Sequence, residues 1–270
     1  MPETGRDLLK AVLIGGISGG TRIPDAVPET VWNDLCASVL GTDLAPLFFH
    51  SLQKAGGAAG GDALPFADRV RLAYDHTAVR NIVIQEEFLK VEEILRAENV
   101  LVSPLQGLHL IETVYGNPAL RGMSDADVYV PRTRAGDACR ALRAAGYAFV
   151  WEFLGADPAA YPSGVQFLSP GAKPVLVEVH WNLVREAGIR SRILSRGETA
   201  ALAAEVERAR VEGAYMGREM KLLAPEHFLL SMLTHLFSHG FRGEKWLWDV
   251  VFFIEKHGGA MDWKRFMDAV

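Results

Sequence analysis

Cysteine is scarce in this chain: Cys36 and Cys139 are the two among 270 residues, with no CxxC and no Cys/His spacing around either. That excludes a disulfide framework and a thiolate metal site, and both read as small buried hydrophobes. No apolar run reaches the roughly 18 to 20 residues that span a bilayer. The first 30 residues lack the charged start, continuous apolar stretch and small-residue cleavage site of a secretory signal. Cytoplasmic residence with no membrane partner is the resulting expectation. Positive charge is in deficit too: 28 Lys and Arg against 33 Asp and Glu leave a net charge of −5. No basic stripe interleaved with aromatics offsets it, so nucleic acid is not expected as a partner. What is present, 49% hydrophobic and 23% charged residues, suffices for one sizeable core or two smaller ones.

Apolar residues recur at helical spacing through Val31, Leu35 and Val39 and again through Ile84, Phe88, Val91 and Leu95, so residues 1–98 read as a helical N-terminal region. The run Gly56 to Gly61 (GGAAGG) breaks it as a loop, and the longest predicted helix covers about Pro65 to Glu98. Beyond Asn99 the pattern turns to short apolar runs at Val100–Leu105, Val128–Val130, Tyr147–Phe153, Val165–Leu168 and Val175–Trp181, which read as strands. Helical stretches at about Leu108–Tyr115 and Arg134–Ala145 separate them, the second stopped by Gly146. From Gly197 onward the period is helical, with Pro225 placed to open a helix to Phe237 and another over Lys245–Lys256. The expected fold class is α+β: a mixed β-sheet core over residues 99–185, flanked by helical regions at 1–98 and 186–270, the last cut short at Val270 within a helix.

The chemistry concentrates in Arg121-Gly-Met-Ser124-Asp125-Ala-Asp127-Val-Tyr-Val130. Side chains alternate along a strand, so Asp125 and Asp127 point to one face, where they repel. A divalent cation compensates such a pair; Mg²⁺ is commonly held by one or two carboxylates together with substrate phosphates and water. A bare DxD is also compatible with a turn that enters a strand. Neutralising Asp127 in the metal-free protein is accordingly expected to leave stability unchanged or slightly higher. Upstream, Leu105-Gln106-Gly107 closes an apolar run and opens a helix, where free backbone N–H groups can meet phosphate. Downstream, Val175-Leu-Val-Glu178-Val-His180-Trp181 sets Glu178 and His180 on one strand face. A glutamate among apolar neighbours is seldom buried without a partner or a metal. Glu178 then reads as a general base or a further ligand, or else as a solvent-facing residue of an edge strand, with His180 in support. Arg121 can reach a phosphate or lie on a surface loop. His235 and His239, four apart on a helix face, lack the glutamate of HExxH because position 236 is Leu, and Trp246, Trp248, Phe252 and Phe253 read as packing surface.

Together, Leu105-Gln106-Gly107, Tyr115, Arg121, Asp125-Ala126-Asp127, Gly146-Tyr147 and Glu178-Val179-His180-Trp181 resemble the family of uncharacterised nucleotidyltransferases, within the DNA polymerase β-like nucleotidyltransferase superfamily. The likeness extends to the helical N-terminal region and to Leu229–His239 and Trp246–Phe253. It implies a nucleotidyltransferase-like sheet and Mg²⁺- or Mn²⁺-dependent transfer of a nucleoside monophosphate from a nucleoside triphosphate, with pyrophosphate release. The acceptor it implies is a small molecule or a protein. On this resemblance Asp125 and Asp127 hold the metal, Glu178 completes the catalytic set, and Gln106, Gly107, Arg121 and Ser124 meet the nucleotide. One departure bears on activity: the family usually has a lysine before the glycine, and Gln106 supplies no charge. A catalytically weak or inactive binding module is the alternative.

Overall fold

The computed structural model describes residues 5–18, 28–40, 42–54, 67–155, 157–184 and 196–269. The Gly56–Gly61 run and the side chain of Cys36 lie outside the described residues, and Cys139 is buried. The chain forms two compact units. The first comprises Met1–Ile82, Tyr115–Gly122 and Gly243–Lys245. Its helices α1 (Gly5–Ser18), α2 (Glu29–Leu40) and α3 (Ala45–Lys54) pack on one another. Leu8, Leu9, Val12 and Leu13 of α1, Val31, Leu35 and Val39 of α2, and Leu47, Phe48 and Leu52 of α3 are buried, the apolar stripe that helical periodicity requires. Asn81 donates from Nδ2 to the carbonyls of Pro118 and Arg121, at 2.5 and 2.7 Å, tying the 115–122 segment into this unit.

The second unit comprises Val83–Val114, Met123–Arg242 and Trp246–Val270. Its centre is a five-stranded mixed sheet in the order β1-β2-β5-β4-β3. The strands are β1 (Ser103–Pro104), β2 (Asp125–Tyr129), β3 (Ala148–Phe149), β4 (Gly164–Leu168) and β5 (Leu176–His180). Only β2 and β5 are parallel; the other pairings are antiparallel. All five predicted strands therefore join one sheet, with β1 and β3 trimmed to two residues each. Pro104 limits the first, since it cannot donate to a ladder. The third ends early because Glu152–Leu154 turn into a 3₁₀ helix.

One face of the sheet is the core. Ala126 and Val128 of β2 and Val177 and Val179 of β5 lie in a single cluster with Ile84, Phe88, Val91 and Leu95. Those four belong to α4 (Ala67–Ala97), and the cluster also takes in Ala138 and Leu142 of α6 (Ala135–Ala144). Gly146, with φ of 88°, stops α6 as expected: its N–H and that of Tyr147 return to the carbonyls of Arg143 and Leu142. Between β1 and β2 the predicted helix begins at Gln106 as α5 (Gln106–Leu110) and widens into a π turn at Ile111–Tyr115.

The helical reading after Gly197 fails in one place. Following α7 (Arg196–Ala209), residues 211–222 form an antiparallel hairpin, β6 (Val211–Tyr215) and β7 (Arg218–Leu222). The signal is the Met216-Gly217 pair, both at positive φ (48° and 76°), as a two-residue hairpin turn needs. Its strands do not alternate cleanly, which hid them. Tertiary contacts hold it: Tyr215 packs edge-on against Phe88 at 4.9 Å, and Arg218 pairs with Glu93 at 2.7 Å. Pro225 opens α8 (Pro225–Ser238), and α9 (Glu244–His257) and α10 (Trp263–Ala269) follow. No described helix is long and apolar enough to cross a membrane.

Candidate active site

The alternation that buries Ala126 and Val128 turns Asp125, Asp127 and Tyr129 to the opposite face, and the same alternation on β5 turns Glu178 and His180 with them. The parallel register sets Asp127 opposite Glu178 and Tyr129 opposite His180. Asp127 Oδ1 lies 2.9 Å from His180 Nε2, and Glu178 Oε2 lies 3.4 Å from the same nitrogen. One ligand atom from each of the three residues falls within 4.8 Å of the others. The group is sheltered: Asp127 is 7% exposed, and Gln166 on β4 donates from Nε2 to Glu178 Oε1.

Burial alone would lower the His180 pKa. Hydrogen bonds to Asp127 and Glu178, and the charges of both carboxylates, outweigh it and raise the value to about 9. At neutral pH His180 is therefore an imidazolium lying between two carboxylates, which is how the fold tolerates two like charges on neighbouring strands. The donor set, two carboxylates and an imidazole that could lose its proton, fits a divalent cation.

The other predicted residues are placed as follows. Asp125 shares the face of Asp127 but lies outside the three-residue ligand group; Ser124 donates to its Oδ1 at 3.1 Å. Gln106 begins α5 at a positive φ of 43°, is buried, and donates from Nε2 to Ser231 Oγ at 3.0 Å. Gly107 follows it in the first turn of the helix. Leu105 N–H donates to the Asp127 carbonyl at 2.9 Å, which fastens the start of α5 beside β2. Arg121 belongs to the first unit, where it is buried and Nη1 donates to the Gly122 carbonyl at 3.4 Å. Sequence reasoning gave His180 a supporting role, whereas the structure places it at the centre of the group.

Residues that sequence reasoning did not assign to the site come from the segment after β5 and from α8. A pocket of about 20 Å³ is lined by Leu105, Gln106, Asp127, His180, Asn182, Leu183, Ser231, Thr234 and His235. That is room for about one ordered water, so a nucleotide would lie outside it. His235 and His239 pack at tilted angles on each other, with Trp246 edge-on to His235 and tilted on His239, and join no metal-ligand group among the described residues.

The family model for uncharacterised nucleotidyltransferases matches residues 28–270. The chain belongs to that family. No curated protein matches it significantly. Among solved structures, this nucleotidyltransferase family member is similar to an antigenic nucleotidyltransferase-like protein from Paracoccidioides brasiliensis. Identity is 17% over 65% of this chain and 75% of that one, with a TM-score of 0.33.

Proposed function

We propose that this protein transfers a nucleoside monophosphate from a nucleoside triphosphate to a hydroxyl-bearing acceptor with the aid of Mg²⁺ or Mn²⁺. The observation that carries the reading is the register pairing of Asp127 with Glu178, closed by His180, in a chain of this family. Asp127 and His180 would hold the ion, with Asp125 as the further carboxylate on the same strand face. When bound, the ion neutralises the triphosphate and aligns the leaving group. His180 Nε2, which donates to Asp127 at 2.9 Å in the metal-free protein, would have to give up that proton to become a ligand. Glu178, its Oε1 fixed by Gln166, takes the proton of the acceptor hydroxyl as that oxygen bonds to the α-phosphorus. The bond from the α-phosphorus to the bridging oxygen breaks, and the electron pair leaves with pyrophosphate. Gly107 at the start of α5 and Ser124 are the proposed nucleotide contacts.

A second reading, a binding module with weak or no turnover, is favoured by Gln106. Its amide is engaged by Ser231 inside the fold and brings no charge to a triphosphate. Calorimetric titration with ATP, CTP, GTP and UTP, with and without MgCl₂ or MnCl₂, tests both, followed by a pyrophosphate-release assay over a panel of small-molecule and protein acceptors. Metal-dependent binding with release supports the transferase, and binding without release supports the module. If no triphosphate binds under any condition, both readings are wrong.

A further inference from the structure

Beside the Asp127 and His180 group lies a larger cavity of about 380 Å³. It sits past the carboxyl ends of the parallel pair: Arg132 follows β2, Trp181 and Asn182 follow β5, and Thr199, Ala200 and Ala203 of α7 form the opposite wall. Parallel strands commonly present ligands at this end, and the volume is in the range of small-molecule sites. Asn182 lines this cavity and the small pocket at Asp127 alike. It is 6% exposed, its Oδ1 accepts from Val184 N–H at 3.1 Å, and its Nδ2 has no partner among the described residues. An open amide donor on a residue that lines both cavities offers a contact to a ligand that spans them.

Arg132 supplies the charge. Nη1 donates to the carbonyls of Ala159 and Tyr161, at 3.0 and 3.2 Å, and the guanidinium carbon lies 5.2 Å from the centroid of the Trp181 ring. Trp181 is held in turn by its own Nε1–H to the Tyr161 carbonyl at 3.0 Å. The guanidinium is thus fixed in place while Nε and Nη2 keep their donors, and no carboxylate pairs with Arg132 among the described residues. A planar fork with open donors matches a phosphate or carboxylate. The small side chains of Ala200 and Ala203 leave the space that such a molecule would fill.

We infer that this cavity is the acceptor site, and that the acceptor is a small hydroxylated anion whose phosphate or carboxylate meets Arg132 while its hydroxyl is directed past Asn182 toward Glu178 and His180. The inference rests on the transferase reading. Calorimetry on the full chain with glycerol 3-phosphate and with glycerate, as phosphate and carboxylate probes, tests it separately from MgATP binding. Arg132→Met keeps an apolar stem on Trp181 and removes the fork; Ala203→Leu fills the cavity without touching a hydrogen bond. Each is expected to weaken the better-bound probe about tenfold or more while leaving MgATP binding within twofold. The inference is overturned if neither probe binds the wild type, if both variants bind as the wild type does, or if MgATP displaces the probe. Absence of MgATP binding to the wild type would instead overturn the transferase reading itself.

Discussion

Asp127 is where the acid pair and its counter-charge meet. Considered with Asp125 alone, neutralising it would relieve repulsion. The geometry reverses that expectation, because Asp127 accepts a hydrogen bond from a buried imidazolium at 2.9 Å, and removing the charge leaves His180 with Glu178 alone. Asp127→Asn is therefore expected to lower the stability of the metal-free protein by about 1–3 kcal/mol. It should also abolish the added stability from MgATP, which is about 2.7 kcal/mol for a ligand at a hundred times its dissociation constant. Thermal melts of both proteins, with and without MgATP, read the two effects; an Asn variant that melts like the wild type and still responds to MgATP would remove Asp127 from the site. The two acids could be picked out from the sequence because a charged pair inside an apolar run is locally conspicuous. The rank of His180 could not, since an imidazole becomes a central group only when two carboxylates fold against it.

At the scale of elements, the site depends on how β5 is held between β2 and β4. Gly164 on β4 stands opposite His180, and a methyl group there would meet the Val179 carbonyl at 2.5 Å and His180 Cα at 3.1 Å. Backbone cannot swing aside as a side-chain tip can, so Gly164→Ala must push β4 from β5. A loss of about 1–3 kcal/mol is expected, together with a weaker Mg²⁺ response, because β5 carries both Glu178 and His180. Urea unfolding with and without MgCl₂ checks this, and a variant of wild-type stability would show that the pair yields at no cost. Strand identities were visible locally: Val177 and Val179 alternate with Glu178 and His180. The hairpin at 211–222 was not, because its stability comes from packing on Phe88, Gln85 and Glu93 of α4, partners more than a hundred residues away.

For the molecule as a whole, one contribution to acid sensitivity comes from a buried histidine. His109 is enclosed and stacked on Phe228 at 3.9 Å; burial, then the nearby charge of His257, lowers its pKa from 6.5 to about 3. Between those two values the unfolded chain binds a proton that the folded chain refuses, so stability is full above 6.5 and falls as pH drops through the window. Urea unfolding at pH 4.5 and 7 is expected to show His109→Leu losing less than the wild type, by up to about 1.4 kcal/mol per pH unit. Parallel losses would mean that His109 does not resist protonation in the fold. The sequence by itself determined what is periodic and local: the buried stripe of α4, the Gly146 stop, five short strands, and acids turned to one face of two of them. Only the tertiary structure decided that Asp127 stands opposite Glu178, that His180 closes the group, and that Ser231, Thr234 and His235 of α8 wall the pocket. Register between β2 and β5 is settled across an intervening chain of 46 residues, from 130 to 175, by the shared core beneath the strands, and no local pattern carries information over that distance.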